Sequence, residues 1–186
     1  MKRVICLVLS VLLISGCGSS SGNVGSGMTL RERLLQSASC SFDAVISADF
    51  GDAVYTFRMF CQSYANGEFQ FEVKEPERIS GIKGKLSPSG GEISYEGIVL
   101  AFPPLADGAL SPVSGPWLLI RGLRNGFLKN EGSIAEGFSL TIEDSFQDDP
   151  LQLCVVLDRQ GLPVACEIYY KGRRTLSMLI ENFRIV

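Results

Sequence analysis

The side chains best suited to chemistry in this sequence are its cysteines, because the chain of 186 residues contains six of them and no histidine. Without histidine, the Ser-His-Asp and Cys-His arrangements of nucleophilic catalysis and the most common zinc sites are excluded. The cysteines lack Cys-x-x-Cys spacing, and the sequence has no glycine-rich phosphate loop with the required Lys and Ser or Thr. We therefore expect no enzyme activity, no metal and no cofactor.

Acidic side chains form the second group with chemical potential. Asp144, Asp148 and Asp149 cluster in EDSFQDDP, but their spacing does not fit an EF-hand calcium loop. We interpret this segment as a solvated turn between strands. A pair of carboxylates that cleaves glycosidic bonds is recognised only by separation in space, so the sequence leaves that arrangement open.

Cys17 lies where a membrane anchor is attached in bacterial lipoproteins. Lys2 and Arg3 precede an apolar run from Val4 to Ile14, which at about 1.5 Å per residue is too short to span a bilayer comfortably. Ile14-Ser15-Gly16-Cys17 resembles the bacterial lipobox, in which the cysteine sulfur is diacylated and becomes the new N-terminus. We therefore predict a signal peptide over 1–16 and lipidation at Cys17, with the protein held on the extracytoplasmic side of the cell membrane.

A flexible tether and one domain are expected after this anchor. Residues 17–27 are rich in Ser and Gly and cannot bury a core, whereas 28–186 has the length of a single domain. The full chain has 17 basic and 20 acidic side chains, and loss of Lys2 and Arg3 leaves a net charge of about −5. This charge gives no support to nucleic-acid binding.

Four cysteines remain for the exported domain, and the first two lie in a predicted hairpin. Alternating apolar residues indicate two antiparallel strands joined by a tight turn at Phe50-Gly51. Pairing Asp49 with Asp52 then places Cys40 directly opposite Cys61. Directly opposed residues lie at separations that a disulfide can bridge, so we predict this pair.

The other two cysteines lie in a second predicted hairpin, CVVLDRQGLPVAC. A three-residue loop, Arg159-Gln160-Gly161, lets Asp158 face Leu162, and counting outward brings Cys154 opposite Cys166. Disulfides Cys40–Cys61 and Cys154–Cys166 are therefore the preferred connectivity of an exported protein. The alternative is four buried free thiols.

Further elements define the fold class. In SYANGEFQFEV we expect a three-residue loop, Ala65-Asn66-Gly67, that aligns Met59 with Val73. Amphipathic periodicity predicts one helix from Met28 to Ser37, with Thr29 as N-cap and Leu30, Leu34 and Leu35 on one face, and a second from Trp117 to Leu128.

Strands are predicted over 40–64, 68–74, 79–86, 92–102, 138–143, 151–158, 163–171 and 174–185, the fourth folded at Glu96-Gly97 and the last two joined at Lys171-Gly172. This pattern indicates an α+β fold, a strongly curved antiparallel sheet with helices on its concave face.

The order of elements is similar to that of the LolA/LolB/RseB-like lipoprotein-localisation superfamily. The matching segments are the opening helix, FQFEVKEPERISG, the Pro-rich loop with its helix, and the closing GLPVACEIYYKGRRTLSMLIENFRIV. GEISYEGIVLAFPPL and SPVSGPWLLIRGLRN also resemble the GerS-like lipoproteins of spore-forming Gram-positive bacteria. The superfamily resemblance implies an unclosed β-barrel that binds lipid or lipoprotein acyl chains. The GerS-like resemblance implies instead a tethered adaptor that docks a cell-wall hydrolase.

Apolar and aromatic residues are the candidates for a ligand-binding groove. Ligand sites are concave and mostly apolar, and a half-open sheet leaves such a groove. An ordinary core beneath the helix is the alternative for most of them. Arg121 and Arg124, on or beside the second helix, are candidates to meet an anionic headgroup or to be surface charges. The candidate groove residues are Tyr55, Phe57, Met59, Phe69, Phe71, Tyr95, Phe102 and Trp117.

Two functions of different classes therefore remain. The first is binding of a lipid or of lipoprotein acyl chains in the cell envelope. The second is a membrane-tethered adaptor for an envelope protein. A deep, empty apolar cavity favours the first, whereas a filled groove and an exposed sheet edge favour the second.

Overall fold

Two helices, two short 3-10 turns and thirteen strands make up the part of the chain that a computed structural model describes, residues 25–49, 53–102, 105–106, 109–145 and 149–186. The predicted signal peptide, Cys17, most of the predicted tether, the Phe50-Gly51 turn and Asp148 lie outside the described residues. Within the described residues, no helix is long and apolar enough to cross a membrane.

Eleven strands form one antiparallel sheet in the order β6-β5-β4-β3-β2-β1-β13-β12-β11-β10-β9, and β7 and β8 pair separately. The helices are α1 (Ser26–Gln36) and α2 (Gly115–Asn125). The strands are β1 (Ser39–Asp49), β2 (Val54–Tyr64), β3 (Phe69–Glu75), β4 (Lys83–Ser87), β5 (Gly90–Tyr95), β6 (Ile98–Phe102), β7 (Leu105–Ala106), β8 (Ala109–Leu110), β9 (Phe127–Ile134), β10 (Gly137–Glu143), β11 (Gln152–Leu157), β12 (Pro163–Tyr170) and β13 (Arg173–Ile185).

The sheet curves around α2. This helix contacts β2, β13 and β10, although β2 and β10 are five strand spacings apart in the sheet. At about 4.8 Å per spacing a flat sheet would separate them by about 24 Å, roughly twice the diameter of a helix. Both strands can touch one helix only if the sheet bends toward it, so α2 lies on the concave face.

Alternating apolar residues set which face of each strand is buried. In β1, every second side chain from Cys40 to Ala48 is buried, and the intervening residues are partly exposed. Two-residue turns join neighbouring strands where a left-handed backbone is available. Gly97 (φ 84°) follows Glu96 between β5 and β6, and Gly172 (φ 74°) follows Lys171 between β12 and β13. Both turns are as predicted.

The predicted β2–β3 hairpin is also confirmed. The Tyr64 N–H donates to the Glu68 carbonyl (2.9 Å), and Met59 pairs with Val73. Gly67 supplies the left-handed residue of the three-residue loop (φ 84°). This register keeps the apolar side chains of both strands on the buried face.

The second predicted helix was too long at its C-terminal end. The last helical bond runs from the Gly126 N–H to the Gly122 carbonyl (2.8 Å), and Gly126 is already extended. Phe127–Ile134 forms strand β9, which the sequence did not predict, paired along β10. Strand pairing outweighs the helical pattern here, because helix propensity is a weak preference that tertiary contacts override.

The first helix differs from its prediction at both the cap and the face. It begins at Ser26, inside the predicted tether, and Thr29 donates its N–H to the Gly25 carbonyl (3.0 Å) rather than capping the helix with its side chain. Leu30 and Leu34 are buried, whereas Leu35 is exposed. The inward face is therefore narrower than predicted.

The predicted fold class is confirmed. The sheet has two terminal strands, β6 and β9, and is therefore not closed. Both helices pack on its concave face, which contains the hydrophobic core.

Candidate functional site

The predicted groove residues are mostly part of the core. Phe57, Met59, Phe69, Phe71 and Trp117 belong to one cluster, and none is more than 8% exposed. Tyr55 and Tyr95 are exposed instead, at 59% and 40%. Phe102 lies in β6 opposite Gly91, and its side chain is outside the described part. The structure therefore does not bring all eight residues together.

Side chains of both helices fill the concave face. Leu30 and Leu34 of α1 and Leu119 and Leu123 of α2 join the same cluster, and each is at most 2% exposed. An empty cavity large enough for water would expose the side chains that line it. These residues therefore have no such cavity beside them, and the part of the concave face beneath the two helices is occupied by the chain itself.

Polar contacts hold α1 against α2. Arg31 donates from Nε to the Leu123 carbonyl (2.8 Å) and from Nη2 to the Gly126 carbonyl (2.6 Å). These oxygens lie at the C-terminal end of α2, where carbonyls lack helical partners and the helix dipole is negative. At the other end of α1, the Gly27 N–H donates to Oε1 of Glu131 in β9 (3.2 Å). The helices are thus fixed to each other and to the sheet.

Arg124 is a buried cation with unused donors. It is 9% exposed, and its Nη1 donates to Ser63 Oγ (3.2 Å) and to the Tyr64 carbonyl (2.7 Å). Nε and Nη2 have no hydrogen-bond partner among the described residues. Arg121, by contrast, is exposed and lies over the Trp117 ring (5.3 Å from Arg121 Cζ to the ring centroid). Of the two arginines proposed for a headgroup, only Arg124 points into the interior.

The predicted Cys40–Cys61 disulfide is not formed, because the register differs from the one predicted. Asp49 pairs with Val54, so the connection is two residues longer than expected, and Cys40 faces Ser63. Cys61 faces Phe42. Both thiols are free and buried. Burial raises the pKa of Cys40 to about 11, and it raises the pKa of Cys61 well above its usual value.

The predicted Cys154–Cys166 disulfide is also wrong. The Asp158–Leu162 loop forms as expected, but a bulge follows, since Leu157 pairs with Pro163 and Val156 with Ala165. The one-residue shift places Cys154 and Cys166 on opposite faces of the sheet, where Cys166 is buried and Cys154 is half-exposed. Burial raises the pKa of both thiols, so neither is an activated nucleophile.

The acidic segment after β10 has a structural role. The Leu151 N–H donates to Asp144 Oδ1 (2.8 Å), and Asp149 pairs with Lys171 (3.3 Å). No group of three or more His, Cys, Asp or Glu side chains among the described residues could hold a metal ion.

The apolar free edge at β6 was not among the features predicted from the sequence. Ile98, Val99 and Leu100 are 64%, 60% and 64% exposed, although they lie on alternate faces of the strand. The opposite edge strand, β9, also exposes Phe127 and Ile134, but it carries the exposed charge of Lys129 between them. Charged residues protect free edges from pairing, and β6 has none of its own. The sequence signal for this edge was the unbroken apolar run of Ile98, Val99 and Leu100 in a short strand.

A groove adjoins β6 on the outer, convex face of the sheet. Its volume is about 460 Å³, and a neighbouring pocket of about 540 Å³ shares Lys85 and Glu92 with it. The pairing registers align two rows of outward side chains across five strands. These rows are Phe60, Glu72, Lys83, Ser94 and Val99, and Gln62, Gln70, Lys85, Glu92 and Ala101.

Comparisons with known proteins find similar solved structures, and the three described below are 9–11% identical to this chain. No protein-family model matches the sequence, and no curated protein matches it significantly. An uncharacterised conserved protein from Thermus thermophilus is 11% identical, with 87% of this chain and 88% of that chain covered (TM-score 0.48). A LolA superfamily protein from Nitrosomonas europaea is 10% identical, covering 86% and 93% (TM-score 0.47). The lipoprotein LppX from Mycobacterium tuberculosis is 9% identical, covering 85% and 93% (TM-score 0.39). Likenesses at this level assign no function to this chain.

Proposed function

We propose that the chain is a membrane-anchored, non-catalytic lipoprotein of the cell envelope whose folded domain docks a protein partner. The observation that carries this proposal is the occupied concave face. Leu30 and Leu34 of α1, with Leu119 and Leu123 of α2, fill the space in which an acyl chain would lie. Binding then takes place on the outside of the domain.

Anchoring at Cys17 is part of the proposal and rests on the lipobox-like Ile14-Ser15-Gly16-Cys17. After removal of a signal peptide over 1–16, the Ser- and Gly-rich tether before α1 would leave the domain free to reach partners near the membrane surface. This arrangement agrees with the GerS-like resemblance, in which an anchored domain holds a cell-wall hydrolase.

The sequence and the state of the thiols both support a non-catalytic function. The chain has no histidine, and burial raises the pKa of Cys40, Cys61 and Cys166. A thiol with a raised pKa stays protonated and is a poor nucleophile at neutral pH.

Binding of an anionic lipid is a second candidate, and Arg124 favours it. Burial of an arginine with Nε and Nη2 unpaired costs folding free energy. A bound anion that accepted hydrogen bonds from these two nitrogens would offset that cost. A phosphate or carboxylate headgroup that reached Arg124, in the last turn of α2 beside Tyr64, would accept these bonds.

Mass spectrometry of the full chain, purified from a bacterial host in mild detergent, separates the two candidates. If the domain docks a protein and holds no lipid ligand, native and denatured spectra of the purified chain give the same mass, because its lipid is covalently attached. Cys17→Ala then removes the mass of that attached lipid. Cys17→Ala is the control for the anchor.

A non-covalent lipid in the native spectrum would contradict the docking proposal. Its loss in Arg124→Met, with the fold intact by circular dichroism, would support the lipid function instead. Denatured masses of the original chain and Cys17→Ala that differ only by the sulfur atom of the substitution would contradict the anchor alone.

A further inference from the structure

The hydrophobic core continues past the helices to the free edge at β6. Ile93 of β5 packs against the core cluster. Beyond it, Tyr95, Ile98 and Leu100 lie on the same inner face and are 40–64% exposed. An apolar strip that continues a core but has no cover is typical of a surface that another element completes.

The backbone of β6 offers a ladder to one further strand. The two-residue Glu96-Gly97 turn makes Tyr95 and Ile98 a hydrogen-bonded pair, and the bonding then alternates along the hairpin. The N–H and C=O groups of Val99 and Ala101 therefore point away from β5, toward the side on which no described strand pairs with β6. Only another extended backbone matches such a ladder along its length, which makes a peptide the fitting class of ligand.

The outer face determines which side chains that peptide can carry. Ala101 pairs with Glu92, so a residue opposite Ala101 on an added strand would lie about 9.6 Å from the Glu92 backbone, two strand spacings away. Ala101 is too small to block the path between them. Glu92 is exposed and lies opposite Lys85, but it forms no ion pair with Lys85 or with any other described residue. The charge nearest to the added residue is therefore this carboxylate, with Lys85 one strand further away.

We infer that β6 is the docking edge for an extended segment of the partner protein that is apolar on one face and carries a basic residue on the other. The apolar side chains would cover Ile98 and Leu100, and the basic side chain would cross Ala101 to Glu92. This inference rests on the proposed docking function and names its site and the chemistry of its partner.

A second copy of this chain fits the edge less well. In a two-fold antiparallel pairing of β6 with itself, the residue opposite Ala101 comes from the stretch Gly97 to Ala101, which has no basic side chain. Glu92 would then stay unpaired in both copies. The observed carboxylate therefore favours a heterologous strand.

Binding of two synthetic peptides to the full chain in mild detergent tests the inference. Each peptide has about ten residues that alternate valine with threonine, with lysine at one central threonine position in the first and glutamate in the second. N-methylation along one edge of each peptide prevents self-pairing, and a peptide methylated along both edges is the negative control.

We expect the lysine peptide to bind about threefold to fivefold more tightly than the glutamate peptide, the range that one exposed ion pair supplies. Glu92→Lys reverses the preference. Val99→Pro removes a ladder donor and weakens both peptides at least about tenfold, whereas Val99→Thr keeps the donor and leaves binding unchanged. In the unmodified chain, the lysine peptide slows hydrogen exchange at the Val99 and Ala101 amides.

Equal binding of the two peptides, or binding without protection of these amides, would overturn the inference. Failure of both peptides to bind at millimolar concentration would overturn it as well. Dimerisation that Val99→Pro abolishes would replace the partner strand with a second copy. None of these results depends on the lipid measurement, so a lipid-loaded protein contradicts the proposed function separately.

Discussion

At the scale of single residues, the most informative side chains are the cysteines, because their environment makes them apolar packing groups. Cys40, Cys61 and Cys166 are at most 1% exposed, and they lie in the core cluster beside leucine and phenylalanine. Desolvation is the main cause of their raised pKa values. The folded state therefore binds the protons of these thiols more tightly than the unfolded state does.

This difference predicts a loss of stability at alkaline pH under reducing conditions. The unfolded Cys40 thiol ionises near its ordinary pKa of 9.0, and the folded thiol near 11. As pH rises from 9 to 11, the unfolded state gains charge first, so the free energy of unfolding falls. Between pH 9 and pH 11, Cys40 alone contributes about 2 kcal/mol to this fall. Urea unfolding at several pH values measures it.

Cys40→Ala is the variant that isolates this contribution, and its stability should fall by about 2 kcal/mol less between pH 9 and pH 11. Cys154→Ala is the matched control, since that thiol is half-exposed. Parallel pH curves for Cys40→Ala and the unmodified chain would show that the thiol does not titrate as inferred.

Local sequence predicted turns well and disulfides poorly, for identifiable reasons. Gly67, Gly97 and Gly172 mark positions with φ between 74° and 84°, which glycine adopts most easily. The cysteine pairs depended on counting along two strands from a turn. A longer connection after Asp49 and a bulge at Val164 each changed that count, and neither has a strong sequence signal.

At the scale of elements, α1 and α2 act as one unit joined by Arg31. Its guanidinium bonds the Leu123 and Gly126 carbonyls at the end of α2. Bonds from a charged group to otherwise free carbonyls are stronger than bonds between neutral groups. The pairing of helices therefore depends on this one side chain as well as on the leucines.

We expect Arg31→Met to lower the free energy of unfolding by about 2 kcal/mol, because it leaves part-buried carbonyls without a donor. Arg33→Met, two residues further along α1 on an exposed face, should change it by less than about 0.5 kcal/mol. Urea unfolding of both variants measures the difference. Equal stability of the two would mean that Arg31 does not hold the helices together.

Element types followed from periodicity, but element ends did not. Every strand of the sheet except β9 was predicted, and both helices were found with shifted ends. Gly126 and Phe127 continue an apolar pattern that fits either a helix or a strand. Pairing of Leu128 with Ile142 decides in favour of the strand, and such contacts between distant residues are absent from a local pattern.

At the scale of the whole molecule, the two helices fill the concave face beneath them, and of the two free edges of the sheet the one at β6 is apolar and uncharged. The alternation of apolar residues predicted a curved antiparallel sheet with helices on it, and this is the fold observed. The state of the concave face was not predictable, because Phe57, Met59 and Phe71 would show the same pattern around a ligand or around a helix. The β6 edge was equally hidden, since strand order depends on pairing.

We infer that α1 and α2 are permanent core elements and do not open as a lid over a ligand groove. Native-state hydrogen exchange of the full chain at increasing urea tests this most directly, because it separates local opening from global unfolding. We predict that the amides from Leu119 to Leu123 exchange only through global unfolding, with an opening free energy that falls steeply as urea rises. Exchange at these amides through a low-energy, urea-independent opening would contradict the account and favour a lipid-binding groove.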